Sequence, residues 1–130
     1  MSKKSERLAQ RKALNAEAEE KENQAAELER KIKKLEKVKK KLAEYKTELS
    51  TKEKKIEKLT TEEQSKFKGS VRRKFNQKVD KASNQSKKLE TTIKNNQDKI
   101  ENKISDLSLE AGLLENEAAL LRQNAAGLII

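Results

Sequence analysis

The side chains that could do chemistry in this chain are almost all amines, guanidinium groups and carboxylates. Lys and Arg number 32 and Asp and Glu 22 among 130 residues, whereas Cys and His are both absent. Their absence excludes disulfides, thiolate chemistry, zinc sites built on Cys or His, and histidine acid/base catalysis. The carboxylates do not converge, no nucleophile has a base beside it, and no glycine-rich phosphate loop is present. The sequence therefore predicts no enzyme, no metal site, no cofactor and no small-molecule substrate.

The net charge of +10 is distributed unevenly. Residues 30–41 contain eight basic and one acidic residue, residues 66–81 seven and one, and residues 101–130 two and five. Basic clusters can bind nucleic acid through phosphate contacts, but the chain has only three aromatic residues and no nucleic-acid motif. Many lysines also follow an acid by four residues, as Lys21 follows Glu17, which supports an exposed helix. We interpret most charges as solvated helix faces and keep nucleic acid or an acidic protein as alternative partners.

Leucine or isoleucine recurs every seven residues in both halves of the chain. This period predicts two coiled-coil helices as the elements that carry the charged side chains. With 42% charged residues, 2% aromatic residues and no proline, the chain can form continuous helix but only a narrow core. A disordered polyampholyte would lack such a sustained period. The predicted fold is all-α, a long antiparallel helical hairpin of the coiled-coil type. Its predicted seam residues are Leu28, Ile32, Leu35, Leu42, Leu49 and Ile56 in the first arm and Ile93, Ile100, Ile104, Leu107, Leu114 and Leu121 in the second.

The break between the two rows has the chemistry of a turn. Thr60 and Glu63 have the spacing of a capping box, Gly69 can adopt a positive φ, and Ser70 can cap the next helix. These signals favour a hairpin over the alternative, one continuous helical rod that dimerises with itself. The expected organisation is a single unit over residues 1–130, with the first arm at about 4–60, the turn at 61–70 and the second arm at about 71–126.

The spacing of the seam companions predicts a register for the two arms. Each heptad needs a second seam residue, or companion, beside the Leu or Ile of the seven-residue row. In the later part of the first arm we take Val38 and Tyr45, three residues after row members, as companions. In the second arm we take Leu89, three residues after the row position Ser86. An antiparallel pairing in which partner numbers sum to about 131 or 132 then places Leu42 opposite Leu89. Ser86 would be a polar position in this seam.

A second apolar strip lies near the chain ends. Leu109, Leu113 and Leu120 fall beside the predicted seam and widen its apolar face, and Leu8 lies on the first arm. An exposed apolar strip on a thin hairpin predicts a binding site for another helix or helical pair. Homodimerisation through the same surface is the alternative.

The N-terminal residues and the hydropathy bear on localisation. Met1 is followed by a charged helical sequence rather than by an apolar signal region, and no stretch reaches the roughly 20 apolar residues that span a bilayer. We therefore expect a cytoplasmic protein without a membrane span, and leave co-secretion open.

The midpoint of the chain, Phe67-Lys68-Gly69 followed by Phe75, resembles the aromatic-x-Gly turn of the WXG-type hairpins of bacterial type VII secretion. With its Lys-rich first arm and its Ile/Leu-spaced second arm, most of the chain is similar to the YwqH-like family, small proteins associated with LXG toxins. Phe replaces Trp here. The export signature of such hairpins, an aromatic residue followed four residues later by an acid, is not met, which leaves the export signal to a partner.

The resemblance implies an adaptor or targeting chaperone. Such a protein would bind the helical N-terminal domain of an LXG toxin before type VIIb secretion, alone or together with another small helical secretion partner. Two alternatives remain, a homo-oligomeric structural coiled coil and a basic nucleic-acid-binding hairpin. A general holdase like the prefoldin hairpin is not favoured, because the β-strand segments that assemble such subunits are missing from the sequence.

Overall fold

Two helices account for nearly all of the structure. The computed structural model describes residues 3–63 and 69–128, with side chains for 3–58 and 69–128. Helix α1 spans Lys3–Glu63 and helix α2 spans Gly69–Ala126, and the described residues contain no strand. Because proline is absent and good helix formers dominate, nothing interrupts either helix. The two helices pack against each other, which confirms the predicted all-α helical hairpin.

The first compact unit, unit 1, consists of Met1–Glu36 and Asn102–Ile130. Alanines dominate its core. Five of them are at most 3% exposed: Ala18, Ala25, Ala111, Ala118 and Ala125. Small side chains let two helix backbones approach closely, so this unit packs its seam mainly through alanines. Leu107 is also buried, and Leu28, Leu114 and Leu121 are half-buried around the alanines.

The second compact unit, unit 2, is formed by Lys37–Glu101. Its seam is more open, because Ile93 is its only buried apolar residue among those described and Leu42, Leu49 and Ile56 are half-buried. All twelve predicted seam residues of the chain are thus buried or half-buried in their own unit. Unit 2 also buries a polar residue, Ser86, whose hydroxyl donates a hydrogen bond to Oε1 of Glu53.

The predicted register was wrong by about one heptad. In unit 2, contacting residues have numbers that sum to 139 for Glu53 and Ser86, and to 140 for Lys39 and Glu101. In unit 1 the ion pair of Lys21 and Glu117 gives 138. When one helix slides along the other by seven residues, each Leu or Ile of the row lies opposite the neighbour of its predicted partner. Both registers therefore satisfy the same apolar pattern.

Val38, Tyr45 and Leu89 do not lie in the seam, contrary to the predicted pairing. They are 45, 54 and 49% exposed. Two residues that lie four after a row residue face the partner helix instead: Glu53 after Leu49 and Glu90 after Ser86 are half-buried. A coiled coil keeps a strict spacing of four and three residues, because supercoiling returns the same positions to the seam in every heptad. The seam of unit 2 therefore continues over polar companions and leaves the three apolar residues outside.

The turn lies largely outside the described residues. Helix α1 continues through Glu63, three residues beyond the predicted end of the first arm, so the backbone of Thr60 is helical. Helix α2 begins at Gly69, which has a φ of 62°, a conformation that side chains with a Cβ rarely adopt. Phe67 of the predicted turn motif lies outside the described residues, whereas Phe75 is half-buried on α2.

Two carboxyl groups share the polar part of the seam in unit 2. Hydrogen bonding from Ser86, and then from Glu90, lowers the pKa of Glu53. The hydrogen bond with Glu53, followed by desolvation and by the repulsion between the two carboxylates, raises the pKa of Glu90 above its ordinary value of 4.5. The pair is therefore best accommodated when one carboxyl is protonated.

This pair predicts a pH-dependent stability. Protonation of Glu90 stabilises the fold fully below pH 4.5, and this contribution is lost as pH rises through its raised pKa. We expect Glu90→Gln to melt at a higher temperature than the unmodified chain at pH 7, and the difference to disappear at pH 4. Circular dichroism melts from pH 4 to 8 measure it, with the exposed Glu44→Gln as control. An equal shift for both variants would contradict the role of the pair.

Candidate functional site

Three leucines of α2 project away from the seam of unit 1. Leu109, Leu113 and Leu120 are 70, 57 and 59% exposed. At about 100° per residue they lie within roughly 40° of one another on the helix. Leu107 and Ala111, which are buried, lie on the opposite side of the same helix. The leucine row, as we call Leu109, Leu113 and Leu120, is therefore an outward apolar face and not the widened edge of the seam that the sequence suggested.

One flank of the leucine row is made of small residues. Ser108 and Ala119 are exposed, and Gly112 lies between them on the helix surface. No side chain or partner backbone lies within 4 Å of the position that a Cβ on Gly112 would take. Since small residues let a second helix backbone approach closely, this flank gives another helix access to the leucines.

The other flank carries Glu117, which also joins the two helices. The carboxylate of Glu117 accepts a contact of 3.0 Å from Nζ of Lys21. A hydrogen bond from Lys21 to Glu117 and the attraction between their charges raise the pKa of this lysine. Nε of Arg122 lies 2.5 Å from Oε1 of Glu22, a second pair between α1 and α2. These exposed pairs contribute little stability. The burial of Leu107 and Ala111 on the opposite side sets which face of α2 points outward.

Arg11 closes the end of α2 beside the row. Its Nε donates to the carbonyl oxygen of Ala125 at 3.2 Å, and its Nη2 donates to that of Leu128 at 3.0 Å. Ala125 lies in the last turn of α2, where the carbonyls carry partial negative charge, and Leu128 follows the helix, so the guanidinium of Arg11 binds the helix end and the residue beyond it. The backbone ends α2 with a hydrogen bond of 2.9 Å from Gly127 N to the Gln123 carbonyl.

Leu8, the fourth predicted partner-binding residue, lies on α1 in a different environment. It is half exposed and lines a shallow groove with Arg11, Asn15 and Arg122, a groove that none of the three leucines lines. The structure therefore brings Leu109, Leu113 and Leu120 together and does not add Leu8 to them. Leu8 stays a separate prediction.

Sequence reasoning did not identify a groove in unit 2. Its volume is about 430 Å³, and it is lined by Tyr45, Leu89 and Thr92 together with half-buried or buried seam leucines and Ile93. Their position three residues after the seven-residue row predicts Tyr45 and Leu89 in the seam, but both lie outside it. The strict alternation of four and three residues along α1 was the signal that could have placed them outside it.

No family model matches the chain, and neither a curated protein nor a solved structure matches it. The part of the chain that the structure describes includes no helix with the length and hydropathy needed to cross a membrane.

Proposed function

We propose that this protein is an adaptor or targeting chaperone that binds the helical N-terminal domain of an LXG toxin for type VIIb secretion. The observation that carries the proposal is the leucine row: three exposed leucines on one outward face of a helix whose opposite face is already buried. The chain's resemblance to YwqH-like proteins supports the identity of the partner.

The proposed mechanism is the completion of a helical bundle. Leu109 and Leu120 are eleven residues apart, or about 16 Å along the helix, which matches three turns of a partner helix. Burying a leucine contributes about 1.5–3 kcal/mol, so the three leucines together offset much of the cost of association. The small flank at Gly112 would admit the partner backbone, and the toxin helices would in turn have an apolar face covered before export.

Homodimerisation through the leucine row is the second candidate, because the same apolar face could pack on its own copy. The adaptor and the homodimer differ in which chains the complex contains and in how its mass depends on protein concentration. A homodimer has a mass and a melting temperature that depend on protein concentration.

Co-expression tests the proposal. The full chain is produced together with the helical N-terminal domain of an LXG toxin, and the complex is analysed by size-exclusion chromatography with light scattering at low and high salt. We expect a heterocomplex of defined mass that survives high salt, since apolar contacts dominate it. A homodimer or a monomer that leaves the toxin domain unbound would overturn the proposal.

A further inference from the structure

All of the excess positive charge lies in unit 2. Its residues, Lys37–Glu101, include 20 basic and 10 acidic side chains, a net charge of +10. The remaining residues, which form unit 1, include 12 of each and are neutral. A partner that unit 2 attracts electrostatically must therefore be acidic.

One side of α2 in unit 2 is free of acidic residues. Positions alternating by four and three residues from 74 to 99 lie on one stripe of a helix, and all eight are exposed. Five of these positions are lysine: Lys74, Lys78, Lys81, Lys88 and Lys99. The other three are the neutral residues Gln85, Thr92 and Asn95. This lysine row extends over about 37 Å.

The lysine row borders the groove of unit 2. Thr92 belongs to the row and also lines the groove, and Lys52 of α1 lines it as well. Tyr45 and Leu89, each about half exposed, provide apolar surface within it. Glu48 is the acidic residue among the lining groups. The groove is thus apolar along its floor, it carries Lys52 and Glu48 on α1, and Thr92 joins it to the lysine row on α2.

From this juxtaposition we infer that unit 2 binds an acidic amphipathic helix of another protein in the Tyr45/Leu89 groove. The partner's apolar face covers Tyr45 and Leu89, and its carboxylates lie along the lysine row. This is helix-in-groove recognition, in which apolar anchors give affinity and charges select the partner. Duplex DNA could neutralise the lysines, but its phosphates would gain nothing from the exposed tyrosine and leucine. The inference is independent of the leucine row, which lies in unit 1.

A designed peptide serves as the probe. It has 21 residues, leucine at the a and d positions of each heptad, glutamate at most others and a fluorescent label. A control peptide has the same composition with its leucines distributed around the helix. Fluorescence anisotropy with the full chain should give at least about tenfold tighter binding of the amphipathic peptide, because only it can bury its leucines on one face.

Two sets of variants separate the apolar from the electrostatic contribution. Tyr45→Ser with Leu89→Ser keeps the charge and should weaken binding by about tenfold or more. Lys81→Glu with Lys88→Glu should weaken it much more than Arg73→Glu with Lys94→Glu, which makes the same charge change on other sides of α2. Equal losses for the two charge variants, or no loss for the serine variant, would overturn the inference.

Duplex DNA and self-association are measured in the same assay. A 20-base-pair duplex that displaces the peptide, and whose affinity the serine variant leaves unchanged, would make the surface a polyanion site and overturn the proposal. Sedimentation of the chain alone tests whether a second copy of the chain occupies the groove. Self-association that the serine variant abolishes would also overturn it. These variants leave Leu113 and Leu120 intact. A negative result for the groove is therefore distinguishable from a failure of the proposed adaptor function.

Discussion

We expect the replacement of Leu113 and Leu120 together by Glu to abolish binding of the proposed helical partner while the chain stays folded. Each substitution removes a leucine that would be buried on binding, worth about 1.5–3 kcal/mol, and adds a carboxylate that would have to be desolvated. The loss of apolar burial alone corresponds to an affinity decrease of about 100-fold to 10,000-fold. Titration calorimetry with the toxin domain measures the affinity, and circular dichroism measures the helix content.

The fold should tolerate these substitutions because both leucines project into solvent from α2. Melting temperature and helix content should stay close to those of the unmodified chain. Val38→Glu with Val71→Glu is the matched control, since both valines are about half exposed but lie in unit 2. If the leucine variant loses its helix content, or if the valine variant loses as much affinity, the leucine row does not bind the partner.

We expect a charge placed in the alanine core of unit 1 to unfold the unit, although the residues of the leucine row are unchanged. The leucine variant, by contrast, should keep its fold and lose binding. Ala18 is fully buried. A glutamate there both overpacks the close helix contact and buries an unpaired carboxylate, and these changes cost about 3–5 kcal/mol. Because domains are stable by only about 5–15 kcal/mol, we expect Ala18→Glu to lower the melting temperature strongly or to unfold unit 1 at room temperature.

Ala26→Glu provides the control, because Ala26 lies on the same helix but is exposed. Exposed substitutions of this kind usually change stability by no more than about 0.5 kcal/mol. Hydrogen exchange read along the chain locates the effect: amides of unit 1 should lose protection in Ala18→Glu and keep it in Ala26→Glu. Equal protection in the two variants would mean that the alanine seam does not hold unit 1 together.

The sequence was sufficient for the helices and for the residues that form their common seam. Periodicity identifies a core when any other orientation of the helix would expose the same apolar residues. The row from Leu28 to Ile56 is such a case. It could not identify the register, because sliding one arm by seven residues replaces each row residue by an equivalent one. The pairs that distinguish the registers, such as Glu53 with Ser86, are polar and have no period of their own.

The candidate surfaces were predictable to different degrees. Leu109, Leu113 and Leu120 could be selected because they are large apolar residues outside the row, although their position opposite the seam needed the structure. The groove at Tyr45 and Leu89 was missed because apolar residues next to a seam are usually taken as part of it. Here the half-buried companions in the seam are polar, Glu53 four residues after Leu49 and Glu90 four residues after Ser86, and hydrophobicity alone cannot predict that choice.

The equivalence of seven-residue steps has a consequence for how such a chain can vary in length. Inserting or deleting one heptad in each arm, at matching levels of unit 2, would preserve every seam position and leave the alanine contacts of unit 1 untouched. A protein built this way can change the number of lysines it presents without redesigning its core. Homologues that differ by multiples of fourteen residues should therefore be functional, whereas differences of three or four residues in one arm should not be tolerated.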